Sequence, residues 1–163
     1  MVWSISARIA AALVSCVFFL ACSGDTNTPE PSVQPTTTTA SSGPVGNACP
    51  AEGCVITITD VAKDGDELAI TWDADFDPDV SKNHIHVFWD IYTADQVSSD
   101  AEARGEKQGE WVPTDAYPTY TTGSAVSVDK RGDSTTLCVT AGDRDHAVID
   151  SSIVDCQDVS DLL

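Results

Sequence analysis

The sequence predicts that residues 49–163 of this 163-residue chain form an all-β domain. Short runs of β-branched and aromatic residues alternate between apolar and polar positions, as half-buried strands do. Turns rich in glycine and aspartate separate these runs, which is typical of a β-sandwich. Hydrophobic residues make up 42% of the chain, enough for a packed core rather than a disordered acidic tail.

Six runs are predicted as strands, and Asp64-Gly65-Asp66 is a clear turn between the first two. The third run is the strongest, because Ile85, Val87, Trp89 and Ile91 fall on one face, which must then point into the core. In chain order the predicted strands are 54–59, 68–72, 84–92, 125–128, 135–141 and 152–155.

One helical insert is predicted over residues 94–104. Thr93 can cap its start, and Gln96 stands three residues later, which completes a capping box. Gly105 then provides a stop signal.

The order of these segments resembles an immunoglobulin-like module of the fibronectin-III type. The similarity covers most of 54–158: a strand, an Asp-Gly turn, LAITW at 68–72, a long central strand, then TTLCVTAGD at 135–143 and a final strand. It implies an immunoglobulin-like β-sandwich with one short helical insert. The strings at 83–90, 137–139 and 145–146, continuing to 155–156, are also similar to uncharacterised exported bacterial proteins. That similarity implies export and fold, and no activity.

Residues 1–21 are interpreted as a lipoprotein signal peptide. Arg8 precedes an apolar run that ends with small residues. The string Phe19-Leu20-Ala21-Cys22 resembles the lipobox of bacterial lipoproteins, which implies that Cys22 is acylated and becomes the new N-terminus. Such a lipid would anchor the protein at the extracytoplasmic face of the cell membrane. Two alternatives are lipidation at Cys16, which would leave an apolar stretch just after the anchor, and plain secretion.

Residues 22–48 are predicted to be the lipidated cysteine followed by a disordered linker. Serine, threonine and proline dominate this segment, and its only larger apolar residues are two valines. It therefore cannot bury enough surface to offset the entropy of ordering.

The charge of the chain excludes some partners. It holds 26 acidic and 8 basic residues, for a net charge of −18. Nucleic acid is not an expected partner, because phosphate binding needs clustered Lys and Arg. Polybasic attachment to anionic lipid is excluded for the same reason.

Four cysteines lie in the predicted domain: Cys49, Cys54, Cys138 and Cys156. An even number in an exported domain indicates two disulfides. Three pairings are possible, and the spacing favours Cys49–Cys54 and Cys138–Cys156.

The three histidines are the candidate site. His84 and His86 lie on the face of the third strand opposite its core residues, about 6.7 Å apart by strand geometry. If that strand pairs antiparallel with the run ending at Ala141, the following loop brings His146 to the same end of the domain. Asp143 and Asp145 of this loop would then lie nearby.

Three neutral imidazoles with a nearby carboxylate suit Zn²⁺ or Cu²⁺. Cu⁺ is disfavoured, because processing removes the only methionine and the cysteines are expected to be paired. The alternating aspartates of 73–79 are a weaker Ca²⁺ candidate. The simpler interpretation of the histidines is that they are ordinary structural residues. The simpler interpretation of the aspartates is a solvated acidic loop.

The face that carries the histidines is expected to be covered by residues 93–123. The alternative is an exposed aromatic patch that includes Phe88, Tyr92 and Trp111, with Tyr117 and Tyr120.

The sequence contains no nucleophile elbow and no glycine-rich phosphate loop. We therefore expect a non-enzymatic envelope protein that binds an unidentified envelope or extracellular partner. The alternative is a metal-binding protein.

Overall fold

The computed structural model describes residues 46–163. This part of the chain is all-β, as predicted, with seven strands in two antiparallel sheets and no α-helix. In chain order the strands are β1 Ile56–Asp64, β2 Glu67–Ala74, β3 His84–Trp89, β4 Val112–Thr114, β5 Thr119–Thr121, β6 Thr136–Gly142 and β7 Asp155–Asp158. Four 3₁₀ turns complete the regular structure: Glu102–Arg104, Ser124–Val126, Val128–Lys130 and Ser160–Leu162.

The strands form one three-stranded sheet, in the order β1-β2-β5, and one four-stranded sheet, in the order β4-β3-β6-β7. Both sheets contribute side chains to a single buried core. The alternation in β2 and β3 explains this, because every second residue of each strand points to the same side. The largest members of the core are Trp72, Trp89, Phe76, Leu68, Ile70, Ile85 and Leu137.

The two largest core side chains also have their polar atoms satisfied. The indole N–H of Trp72 donates to the Ala116 carbonyl at 3.2 Å, and that of Trp89 donates to the Val126 carbonyl at 3.1 Å. Each buried aromatic side chain contributes roughly 1.5–3 kcal/mol of hydrophobic stabilisation. These bonds remove the cost of burying a polar N–H group.

Both disulfides join the cysteines that the spacing favoured. Cys49–Cys54 closes a short loop, and Cys138–Cys156 links β6 to β7.

The prediction of a helix over residues 94–104 was wrong. Only Glu102–Arg104 is helical, as a 3₁₀ turn that ends at Gly105 with φ 86°. The carbonyls of Gln96 and Val97 explain the difference: the first accepts from the Gly109 N–H, and the second bonds to the His86 ring. In an α-helix these carbonyls would accept from the N–H groups four residues later.

The short strand over 125–128 was also wrong. This segment forms two 3₁₀ turns that bury Val126, and the Val128 N–H bonds to the Glu67 carboxylate instead of to a neighbouring strand. The last strand lies at Asp155–Asp158, three residues later than predicted. The third strand ends at Trp89, and the backbone turns there, so Ile91 is 44% exposed rather than in the core.

Residues 1–45 lie outside the described residues, and with them the predicted signal peptide, Cys16, Cys22 and nearly all of the predicted linker. Asn47 already belongs to the folded part, because it exchanges hydrogen bonds with the backbone of Asn83 at 2.7 and 2.9 Å. Within residues 46–163 no helix has the length and apolar character needed to cross a membrane.

Glu67, the first residue of β2, forms hydrogen bonds with the segment after β5. Its carboxylate accepts hydrogen bonds from the Thr122 hydroxyl at 2.6 Å, the Val128 N–H at 3.0 Å and the Ser127 hydroxyl. Burial raises the pKa of Glu67, but these three bonds outweigh that effect and the net pKa is lowered.

We expect Glu67→Gln to lower the free energy of unfolding at pH 7 by about 1.5–3 kcal/mol, because hydrogen bonds to a charged acceptor are lost. A carboxyl group with a lowered pKa stabilises the fold above its unfolded pKa, and this contribution disappears as the pH falls. The difference between wild type and variant in urea unfolding should therefore shrink below about pH 4.5. A constant difference down to pH 2 would contradict the role of the charge.

Candidate metal site

Strand pairing brings the three histidines together. His84 lies directly opposite Gly142, the last residue of β6, so the loop that follows β6 starts beside it. That loop returns His146 to the first two rings, and His146 Nδ1 lies 2.9 Å from His84 Nε2. One nitrogen from each ring lies within 4.8 Å of the other two. The antiparallel pairing expected from the sequence is thus the feature that assembles the cluster.

His84 and His86 are fully buried, although they lie on the face of β3 that points away from the main core. The segment after β3 covers them, as we favoured, rather than leaving an aromatic patch. Trp111 stacks on His86 with ring centroids 3.9 Å apart, and Val97 packs beside Phe88 on the same face.

The outer nitrogen of each buried ring is held by a backbone carbonyl. His84 Nδ1 lies 3.1 Å from the Lys82 oxygen, and His86 Nδ1 lies 2.8 Å from the Val97 oxygen. A carbonyl only accepts hydrogen bonds, so both Nδ1 atoms must carry the hydrogen. In the neutral rings the lone pairs are then on Nε2. Bonds of this kind orient histidine ligands in metal sites.

The two Nε2 atoms face each other at 3.1 Å. Neither can donate to the other while both rings are neutral, so this contact brings two lone pairs together. The His146 Nδ1–H can donate to His84, which leaves the lone pair of His86 without a donor from the other two rings. A cation between the rings would turn this repulsion into attraction.

A proton is not the favoured cation. Burial is the main cause that lowers the pKa of His86 to about 3, and the nearby His84 and His146 rings add to it. Burial also lowers the pKa of His84. Both rings therefore stay neutral at pH 7, which is the form that binds a metal ion.

Two of the three nitrogen–nitrogen distances fit a transition metal, and the third is within 4.8 Å. Tetrahedral Zn²⁺ with Zn–N bonds of about 2.0–2.1 Å places its ligand nitrogens about 3.3 Å apart. The two closest pairs here are 2.9 and 3.1 Å apart. A tetragonal Cu²⁺ ion would need neighbouring nitrogens about 2.8 Å apart, which these distances also approach.

His146 reaches the cluster in a strained conformation. Its φ is 63°, in the left-handed region that non-glycine residues rarely adopt. Asp143 imposes this turn: its carboxylate accepts from the N–H groups of Asp145 and Ala147, each at 2.9 Å, and its carbonyl accepts from the His146 N–H. Strain of this kind is typically found at functional sites.

The aspartates of this loop do not belong to the group of converging donors. One carboxylate oxygen of Asp143 is taken up by the turn, and Asp145 is exposed beside Arg144 at 3.5 Å. Asp143 still lies near enough to act electrostatically on His84.

The acidic run 73–79 does not assemble a Ca²⁺ site. Asp75 accepts from the Val55 N–H, while Asp79 binds Ser81 and Lys82. Within residues 46–163 the histidine cluster is the only group of three or more His, Cys, Asp or Glu side chains with converging donor atoms.

Sequence reasoning missed Gly142 and the carbonyls that orient the rings. A Cβ at Gly142 would lie 2.3 Å from His86 Nε2, so only glycine leaves room for this imidazole. No local sequence pattern pointed to an imidazole ring packed against Gly142.

We expect Gly142→Ala to weaken Zn²⁺ binding by about 10–100-fold, because the methyl group displaces His86 from the cluster. Isothermal titration of wild type and variant with Zn²⁺ measures this directly. Gly123→Ala is the matched control, because a Cβ there meets nothing within 4 Å. Equal affinity in the Gly142 variant and the wild type would remove His86 from the proposed ligands.

No family model, no curated protein and no solved structure matches this chain.

Proposed function

We propose that this protein binds a divalent transition-metal ion, Zn²⁺ or Cu²⁺, through His84 Nε2, His86 Nε2 and His146 Nδ1, with the hydrogen of the bound His146 ring on its Nε2. The observation that carries the proposal is the 3.1 Å contact between the two Nε2 atoms, together with the backbone carbonyl that each ring meets at its Nδ1. A purely structural pair of buried histidines would be expected to donate one hydrogen bond to the other. Three nitrogens of this type are a donor set that suits both ions.

The domain that presents the site is proposed to be an immunoglobulin-like β-sandwich. Its sheet order supports this: with strands lettered A, B, C, C′, E, F and G in chain order, the sheets are ABE and C′CFG. In this scheme the site lies at the end of the sandwich where strand C begins and strand F ends.

We further propose that the domain is carried outside the cytoplasm by a lipid on Cys22, with the segment up to residue 45 as its tether. The string before Cys22 and the two disulfides of the domain support this location. The interaction with an envelope or extracellular partner stays a prediction.

Elemental analysis tests the metal proposal. The full chain is exported by a bacterial host so that both disulfides form, then purified, stripped with chelator, loaded with Zn²⁺ or Cu²⁺ and desalted. We expect about one ion per chain. Retention below about a tenth of an equivalent for both metals would contradict the proposal.

Mass spectrometry of the N-terminal peptide tests the anchor. We expect the processed chain to begin at Cys22 and to carry a diacylglyceryl group. Cys22→Ser should abolish this modification, whereas Cys16→Ser, the matched control, should retain it. A lipid on Cys16, or an unmodified N-terminus, would contradict the assignment.

A further inference from the structure

We infer that the ion bound by His84, His86 and His146 keeps one exchangeable coordination position, which takes water, hydroxide or another small anion. This inference rests on the proposed metal binding and goes further, because it gives the ion an open coordination position instead of the closed shell of a structural metal site.

The charge of the bound ion favours an anionic ligand. The three donors are neutral imidazoles, so they supply no negative charge to a divalent ion. Two of the three rings are fully buried, where an uncompensated charge is costly. Asp143 and Asp115 act electrostatically on His84, but neither carboxylate is among the converging donors, and one oxygen of Asp143 is bonded to two N–H groups of its own turn. A small anion on the metal is the direct way to reduce the charge.

Only the three histidine side chains converge at the site among the described residues. The Trp111 ring lies 3.9 Å from the His86 ring and 5.7 Å from the His146 ring, so an indole borders the cluster on that side. An indole has no lone pair for a metal ion. Catalytic zinc sites characteristically have three protein ligands and an open fourth position, whereas structural sites are closed by a fourth side chain.

The burial of the rings restricts which ligands can reach the ion. His84 and His86 are sealed from solvent, whereas His146 and Trp111 are only half-buried. A ligand must therefore enter past His146, beside the indole. The covering segment leaves the inner rings no exposed surface, so the ligand class is small and monodentate.

Azide binding to the Co²⁺-loaded full chain tests this inference, because Co²⁺ replaces Zn²⁺ and reports its ligands by visible absorption. We expect azide to change the visible spectrum with a single saturable transition while the cobalt content stays constant. The same chain carrying His84→Ala and His86→Ala, treated with Co²⁺ and azide, should show no such spectrum.

An unchanged spectrum at a large excess of azide, with one cobalt per chain by elemental analysis, would overturn the inference and leave the proposed metal binding intact. Loss of cobalt on adding azide would also overturn it. A chain that retains none of Co²⁺, Zn²⁺ and Cu²⁺ would refute the proposed function itself, so the two failures are distinguishable.

Discussion

Replacing His84 and His86 together by alanine is expected to abolish metal binding. Both Nε2 atoms would be lost, which leaves His146 alone, and a single imidazole does not hold a transition-metal ion through desalting. The bound metal should fall from about one equivalent to less than a tenth. Wild type in excess Zn²⁺ should also gain about 2.7 kcal/mol in its free energy of unfolding at 100 times the dissociation constant. The double variant should gain nothing.

Thr140→Val is the matched control for this experiment. Thr140 is buried opposite His86 on β6, and its hydroxyl donates to the Ile153 carbonyl at 2.8 Å. The variant therefore loses a buried hydrogen bond on the same face but keeps all three imidazoles. It should be less stable than wild type and still retain the ion. Retention of the ion by the double histidine variant would place the site elsewhere.

The disulfide between Cys138 and Cys156 is expected to make the larger covalent contribution to stability. It closes a loop of 18 residues, and the loop-entropy relation assigns such a closure about 3 kcal/mol. Cys138 is also buried against Phe88 and Val97, beneath the segment that covers the histidines. Replacing both cysteines by alanine should lower the free energy of unfolding in guanidinium by at least this amount.

The disulfide between Cys49 and Cys54 provides the comparison. Its loop spans only five residues, for which the same relation gives about 2 kcal/mol. The double alanine variant at 49 and 54 should therefore unfold at a higher denaturant concentration than the variant at 138 and 156. The reverse order would show that loop closure in the unfolded chain does not govern the stability of this domain.

Much of the fold could be predicted because long strands carry their pattern in the sequence. In β2 and β3 the alternation of apolar residues identified the inward face before any pairing was known. β4 and β5 have three residues each, too few for alternation to show, and their positions depend on the strands they pair with. The segment after β3 is not the predicted helix, because the Gln96 and Val97 carbonyls bond to residues distant in the chain.

The candidate site could also be predicted only in part. The convergence of His84, His86 and His146 followed from antiparallel pairing of two strands, which the resemblance to an immunoglobulin-like module implied. The features that make the cluster suited to a metal ion could not be predicted from the sequence. The Val97 carbonyl comes from a loop, and Gly142 is required only because of a ring on the neighbouring strand. Contacts of this kind depend on the assembled fold and leave no local signal.

X-ray absorption at the zinc edge of the Zn²⁺-loaded full chain tests the central claim most directly. It measures the type, number and distance of the atoms around the ion. Three imidazole nitrogens at about 2.0–2.1 Å, with one further light atom and no sulfur, are the predicted result. A shell dominated by carboxylate oxygen or containing sulfur, or fewer than two imidazoles, would contradict metal binding by the three histidines.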